Sequence, residues 1–426
     1  MRIGILGGGI SGLALGHFLK PEHVVLEKES TVGGLCRTFI KDGFAYDQGG
    51  HIIFSKDQEV LDLEIGLLHD NVLQQMRKNV IWYKGRFVKY PFENGLSALD
   101  KDDIFDCLYH YLINPHPEPK NFEQWVYRNF GTAIADRYLL PYNRKIWKID
   151  PSQMSMGWVE RMPKPPLEDV IKSAIGIETE GYLHQLYFFY PKVGGFESLV
   201  QAFARKVKNI ETGILINKIK FESGAWIVSN GPRNFSFDRL ISTIPLHDLA
   251  SALGDVPAPI RAEISKLRYN KVLVAMIGVR GDYLTGKSAV YIPDPDCLAH
   301  RICFNGYFSP AMTPAGCSSL IAEITCRPGD ALDQRTDADI LHDLIHWLSR
   351  EKFLKLEDII VTDLKRVEYG YPVYDLDYEK RVENIRNYFR QERKIELCGR
   401  FAEHLYINSD VCIRRAWDLA KKFNEA

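Results

Sequence analysis

The beginning of this chain constrains it more than any other stretch. An apolar run from Arg2 to Leu6 leads directly into Gly7-x-Gly9-x-x-Gly12, Leu13 to Leu19 continues with helical spacing, and a second apolar run, Val24-Val25-Leu26, ends in Glu27. In such an order the first glycine permits the tight turn, the second lets a pyrophosphate approach the backbone, and the third lets helix and strand pack closely. An acid about twenty positions on can grip a ribose hydroxyl. Strand, turn, helix, strand and acid therefore predict a Rossmann-type dinucleotide unit, with Gly7, Gly9, Ser11, Gly12 and Glu27 as its contacts. The plain alternative is a glycine-rich turn without a ligand, and the motif alone serves NAD and FAD equally.

Two further glycine pairs follow, in Gly33-Gly34-Leu35 and in Gly49-Gly50-His51. They suggest backbone lying close to a cofactor longer than its pyrophosphate, which favours FAD. The pattern resembles the flavin-containing amine oxidase and protoporphyrinogen oxidase superfamily, and Gly49-Gly50-His51-Ile52-Ile53-Phe54 resembles the UDP-galactopyranose mutases more narrowly. The resemblance implies FAD contacts at Gly33, Gly34, Leu35, Gly49 and Gly50, with His51 beside the flavin ring. The bland alternative for His51 is a satisfied histidine in a turn.

Composition bounds the rest. A chain of 426 residues, 46% hydrophobic and 26% charged, is long enough for two or three domains with proper cores. A net charge of -1 gives no electrostatic case for nucleic acid or an anionic membrane, so any phosphate binding must come from a local cluster. The 8 cysteines carry neither a CxxC nor a metal spacing, which fits a reducing cytosol and predicts no metal site. No apolar run reaches the length of a membrane span, and glycines interrupt the early apolar stretch too soon for a signal peptide. The expectation is a soluble cytoplasmic protein.

Along the chain, the spacing predicts a helix over 55–75, a hairpin turning at Lys84-Gly85, and largely helical structure over 101–180 broken at Pro115 to Pro119. Phe188 to Phe196 returns the chain toward the cofactor, a helix runs from Glu197 to Val207, and Leu240 to Ile244 is a strand stopped by Pro245. Lys271 to Val279 reads as a strand buried on both faces. Thr336-x-x-Asp339 can begin a helix from Ile340 to Arg350. The predicted fold is α/β: a Rossmann-like FAD domain from 1–75, 190–260 and 355–426, a mainly helical substrate-binding insertion at 76–189, and an antiparallel sheet with a helix at 261–354.

The mutase resemblance extends over these segments and implies a substrate site. Tyr90-Pro91-Phe92-Glu93-Asn94 lies over the nucleotide base in that family, with Phe92 supplying the aromatic face and Glu93 and Asn94 beside it. Trp147 and Tyr291 belong to the implied substrate-binding set, and Arg161 and Arg301 bind the diphosphate together with Tyr371 and Tyr406. Arg400 and Asn408 accompany the flavin. Planar guanidiniums suit a diphosphate because they form charge-assisted, often bidentate hydrogen bonds, and tyrosine hydroxyls add neutral donors.

The activity implied is interconversion of pyranose and furanose forms of a nucleotide sugar, UDP-galactose or a relative, for surface polysaccharide synthesis. Reduced flavin acts through N5 as nucleophile at the anomeric carbon, and His51, Arg161 and Arg301 are the catalytic candidates. A reductant such as NAD(P)H or a reductase is then a required partner, and oligomeric state is left open. No Ser/His/Asp triad, metal cluster or paired-carboxylate motif asks to be read as catalytic. Three positions depart from the family: Glu93 stands where an amide bonds the base, Ala289 where a close group has tryptophan, and Leu405 where arginine is common. Two rivals follow, a flavin oxidase or dehydrogenase of the amine oxidase class, and a non-catalytic binding protein like the GDP dissociation inhibitors.

Overall fold

A computed structural model describes residues 1–180, 186–284 and 286–425. The opening unit folds as its sequence predicts, but the sheet it belongs to is gathered from the whole chain. Five parallel strands run in the order Ile210–Glu211, Glu22–Leu26, Arg2–Leu6, Arg239–Ser242, Ile395–Leu397. Ile3, Ile5, Val25, Leu240, Ile241 and Ile395 are wholly buried, as strands covered on both faces require. The order reverses between Arg2–Leu6 and Arg239–Ser242, and in open parallel sheets that switch point, at the carboxyl ends of the strands, is where cofactors lie. The Thr243 hydroxyl donates to the Leu6 carbonyl (2.8 Å) there, so the Ser242-Thr243-Ile244-Pro245 segment is fastened to the glycine turn.

The substrate-side sheet has seven strands, in the order Ile359–Val373, Arg268–Arg280, Cys317–Cys326, Arg301–Phe304, Ala289–Tyr291, Asn79–Tyr83, Arg86–Lys89. Arg268–Arg280 sits between two long antiparallel neighbours, and its stretch from Leu273 to Ile277 is wholly buried. Three strands of this sheet come from beyond 261–354. The hairpin of 79–89 lies within the stretch read as helical insertion, and Ile359–Val373 within the stretch read as FAD domain. Sheet edges recruit partners by backbone hydrogen bonding, which periodicity in one segment cannot reveal. The hairpin turns where predicted: Lys84 (φ 47°) and Gly85 (φ 75°) bridge the Tyr83–Arg86 pair in a two-residue turn.

Helices Lys101–Leu112, Phe122–Ile134, Leu140–Trp147 and Leu167–Ala174 make the insertion, whose residues 181–185 lie outside the described residues. Asn121 caps the second by accepting from the Gln124 amide (2.9 Å). Gly131 interrupts the run with φ 72°, and a Cβ there would lie 2.1 Å from the His110 carbonyl oxygen, so glycine is what lets the two helices cross. The helix expected over 55–75 is confined to Gln58–Leu68, because Asp57 caps it and Leu73–Met76 instead pairs with Tyr187–Tyr190. Thr336 begins the helix Asp337–Arg350 by accepting from the Asp339 amide (3.2 Å). All eight cysteines are unpaired and all but Cys317 are buried. No helix among the described residues is long and apolar enough to cross a membrane.

Candidate active site

One cavity of about 1610 Å³ runs from the glycine turn to the substrate-side sheet. Gly7, Gly9, Ser11, Glu27, Gly34 and Leu35 line its inner end, Gly49, Gly50, His51, Arg400 and Asn408 its middle, and Glu93, Trp147, Arg161, Tyr291, Arg301, Tyr371 and Tyr406 its outer part. Gly12 and Gly33 shape this wall without lining it. A Cβ on Gly12 would fall 1.9 Å from the Gly7 carbonyl oxygen, and Gly33 donates its amide to the Gly8 carbonyl (2.9 Å). The Glu27 carboxylate accepts from the Gly8 amide (2.7 Å) and the Glu29 amide (2.9 Å), which fixes its orientation while leaving lone pairs for a ribose.

His51 is half-buried against the Phe196 ring (centroids 5.0 Å apart). Its Nδ1 meets the Gly49 carbonyl at 3.0 Å; a carbonyl only accepts, so Nδ1 carries the hydrogen and Nε2 of the neutral ring is left as an acceptor. Burial lowers the His51 pKa to about 4, so the ring is neutral across the physiological range.

The outer part is joined by a chain of contacts. The Arg161 guanidinium lies 4.0 Å over the Tyr406 ring and donates to the Tyr406 carbonyl (2.7 Å) and to the Asn408 side-chain oxygen. Tyr406 meets Tyr371 edge-on (5.7 Å), and the Tyr371 hydroxyl donates to Glu323 (3.2 Å). Glu323 in turn is gripped by Arg301 at 2.6 and 2.7 Å. Trp147 braces both tyrosines with its ring and donates its indole hydrogen to Asn143 (2.9 Å). The Tyr291 hydroxyl accepts from Asn79 (3.3 Å).

Glu323 is the residue that sequence reading passed over. It is 1% exposed and stands directly opposite Arg301 in the antiparallel register. Burial alone would raise its pKa, but the Arg301 guanidinium overrides it and holds the carboxyl at about 2. Its other oxygen contacts include the Gly50 amide (2.7 Å), so one carboxylate ties the Gly49-Gly50-His51 loop to the arginine. The available signal was a lone acid inside the apolar run Leu320 to Ile324. Arg301 is accordingly an ion-paired group, with only the part of its fork not spent on Glu323 free to meet a ligand.

Two residues expected in the substrate site do not reach the cavity. Phe92 is wholly buried and stacks on Tyr138 (centroids 5.1 Å apart), so it is core and cannot supply an aromatic face for a base. The aromatic rings that do line the cavity near this turn include Tyr90 and Tyr291, whose centroids lie 4.8 Å apart. Asn94 exchanges hydrogen bonds with Thr179, donating to its carbonyl (3.0 Å) and accepting from its hydroxyl (2.8 Å), and so fastens one segment of the insertion to another. In both cases the alternation of a short 3₁₀ turn, Phe92–Asn94, points neighbouring side chains in opposite directions.

The inner and middle residues fit a flavin dinucleotide. The glycine turn leaves no room for a side chain where the backbone must approach a pyrophosphate. Arg400 holds its guanidinium over Tyr371 (5.4 Å) and Tyr406 (5.0 Å), with a buried Nε that has no hydrogen-bond partner among the described residues. The first residues of the helix Ser409–Glu425 line the same stretch of cavity and present the positive end of its dipole.

Comparison with known proteins agrees with this geometry. Protoporphyrinogen oxidase 1 of the chloroplast of Spinacia oleracea is 28% identical over 171 residues, 36% of this chain and 30% of that protein. The chain thus spans about a third of the length of the protoporphyrinogen oxidases it matches. A crystal structure of reduced UDP-galactopyranose mutase superposes with a TM-score of 0.90 at 27% identity, covering 99% of this chain and 94% of that one. A CLA-producing fatty acid isomerase from P. acnes shares the fold, with a TM-score of 0.66, 16% identity, and coverage of 99% and 98%. Residues 11–283 match the model of the family described as flavin containing amine oxidoreductase. That match takes in more than half of the chain, from the glycine turn into the substrate-side sheet, and the chain belongs to the flavin-containing amine oxidoreductase family.

Proposed function

We propose that the protein interconverts the pyranose and furanose forms of a nucleotide-linked sugar, UDP-galactose or a relative. The observation that carries this reading is the convergence of Arg161 and Arg301, 140 positions apart in sequence by number (301 − 161), on one cavity continuous with the dinucleotide cradle. Full-length likeness to the reduced mutase structure supports it.

When bound and reduced, FAD supplies an electron-rich ring against which the anomeric carbon is held. The chain's own residues do the rest. Arg161, poised over Tyr406, and the unspent edge of Arg301 hold the diphosphate, which must stay in the cavity while the sugar rearranges. Tyr371 relays the Glu323 charge to the same place, and Tyr291 and Tyr406 wall the space. Nε2 of neutral His51 can accept a hydrogen bond from a sugar hydroxyl without introducing charge beside the ring. A reductant, NAD(P)H or a reductase, completes the system.

Reduction with dithionite followed by UDP-galactofuranose should yield the pyranose on chromatography; no conversion of any nucleotide sugar overturns the reading. Likeness to a plant protoporphyrinogen oxidase favours one second reading, a flavin oxidase, which would turn over without added reductant and consume oxygen.

A further inference from the structure

The outer cavity holds an imidazole whose nitrogens the protein leaves unspent. His300 lines the cavity and is 1% exposed, and neither Nδ1 nor Nε2 has a hydrogen-bond partner among the described residues. Its backbone is pinned on both sides, just before the strand Arg301–Phe304: the amide donates to the Glu323 carbonyl (2.9 Å), and the carbonyl accepts from the Ile292 amide (2.9 Å). The ring is thereby held between Tyr142 (centroids 6.4 Å apart) and Tyr371 (6.2 Å), each met edge-on. A buried polar group without a partner costs free energy, and native chains keep one where a water or a ligand completes it.

The charges around the ring decide which ligand group can do so. Glu323 Oε2 lies 3.7 Å from Nε2, beyond hydrogen-bond length but close enough to favour the tautomer that carries its hydrogen there. Nδ1 is then an acceptor with an open lone pair. The neighbouring cation, Arg301, is spent on the same carboxylate at 2.6 and 2.7 Å, and burial lowers the His300 pKa to about 3, so the ring is neutral. An open acceptor must be met by a hydrogen. The diphosphate of a nucleotide sugar brings none, because its oxygens only accept, whereas a sugar hydroxyl does. Position along the cavity agrees with this. Glu323 also accepts from the Gly50 amide (2.7 Å), so His300 stands where the arginine-lined outer part meets the loop that carries His51.

We propose that His300 is a specificity-determining residue, accepting a hydrogen bond from a sugar hydroxyl through Nδ1 while Glu323 fixes its tautomer from the other side. This rests on the nucleotide-sugar reading above and adds to it the side chain that tells a sugar-bearing nucleotide from a bare nucleoside diphosphate. Arg161 and Arg301 hold either ligand by its diphosphate; His300 registers only the one that carries a sugar.

The test is titration calorimetry of UDP and UDP-galactose against the FAD-loaded protein, in the wild type, in His300→Phe and in His300→Asn. The Phe variant fills the same space without a polar atom, and its UDP-galactose affinity should fall about tenfold while its UDP affinity stays put. Asn places a carbonyl oxygen near the position of Nδ1 and should restore UDP-galactose affinity to within about threefold of wild type. Should His300→Phe not fold, the wild type labelled with nitrogen-15 in its histidines carries the test. The His300 Nδ1 resonance, identified by its absence in His300→Asn, should move on adding UDP-galactose and not on adding UDP. An unchanged ratio of the two affinities in His300→Phe, an equal loss for both ligands, or an Nδ1 resonance that responds alike to both overturns the role of His300 and leaves the nucleotide-sugar reading standing. Folded, yellow wild type that binds neither ligand overturns both.

Discussion

The two ends of the cavity are built on different terms. The inner end is a backbone site: its contacts come from one continuous stretch, Gly7 to Leu35, its glycines make room by having no side chains, and its acid is oriented by main-chain amides at 2.7 and 2.9 Å. The outer end is a side-chain site, assembled from Glu93, Arg161, Arg301, Glu323, Tyr371 and Tyr406, which meet only because two sheets and a helical insertion bring them together. A backbone site tolerates little change at few positions. A side-chain site distributes its chemistry over many positions and couples them, here through the Arg161–Tyr406–Tyr371–Glu323–Arg301 chain.

The contrast is sharpest if one residue at each end is altered. Gly12→Ala should be the most damaging change, because its Cβ would stand 1.9 Å from the Gly7 oxygen; the purified protein is expected to be colourless, as visible absorption would show. Retention of flavin would break the idea that backbone space defines the inner end. Glu323→Leu comes next. It leaves the part-buried Arg301 guanidinium without its counter-ion, which should cost about 3 kcal/mol in urea unfolding. Its pH dependence has a definite sign. The folded pKa of about 2 lies below the unfolded carboxyl value of roughly 4.3, so the stabilisation is present above pH ~4.3 and is lost as pH falls toward about 2. The stability gap between wild type and variant should therefore narrow on acidification.

Arg161→Ala should separate binding from folding. The side chain is exposed and its partners are a carbonyl, an amide oxygen and a ring, so stability should change by no more than about 0.5 kcal/mol. Affinity for a nucleoside diphosphate should drop roughly tenfold, about 1.4 kcal/mol, in calorimetric titration. Equal affinity in the variant would remove Arg161 from the outer site. Phe92→Leu should have the smallest effect, about 1 kcal/mol of stability with nucleotide affinity unchanged, because Phe92 packs on Tyr138 away from the cavity. A large loss of affinity there would restore it to the base-binding face.

Legibility followed the same division. The glycine turn, Glu27, the later glycine pairs and the hairpin at Lys84-Gly85 were readable because each depends on residues close in sequence and on backbone freedom that only certain residue types allow. Arg161, Arg301, Tyr371 and Tyr406 could be named only through resemblance to a family, and their convergence on one cavity is a tertiary fact. Glu323 was overlooked because a strand position says nothing about what stands opposite until the register with Arg301–Phe304 is known. Phe92 was misplaced because a tight turn decides which of two neighbours, Phe92 or Glu93, faces the core and which the cavity.

From its residues alone the chain commits to a dinucleotide cradle, since local sterics around Gly7, Gly9 and Gly12 admit few other uses of that order. What the outer cavity holds was decided by folding. Burial there pushes the pKa of a surface-type residue, Glu93, up to about 8, and strand pairing turns two opposite charges, Arg301 and Glu323, into one fixed unit. Desolvation and register are properties of neighbours in space, and no stretch of sequence contains them.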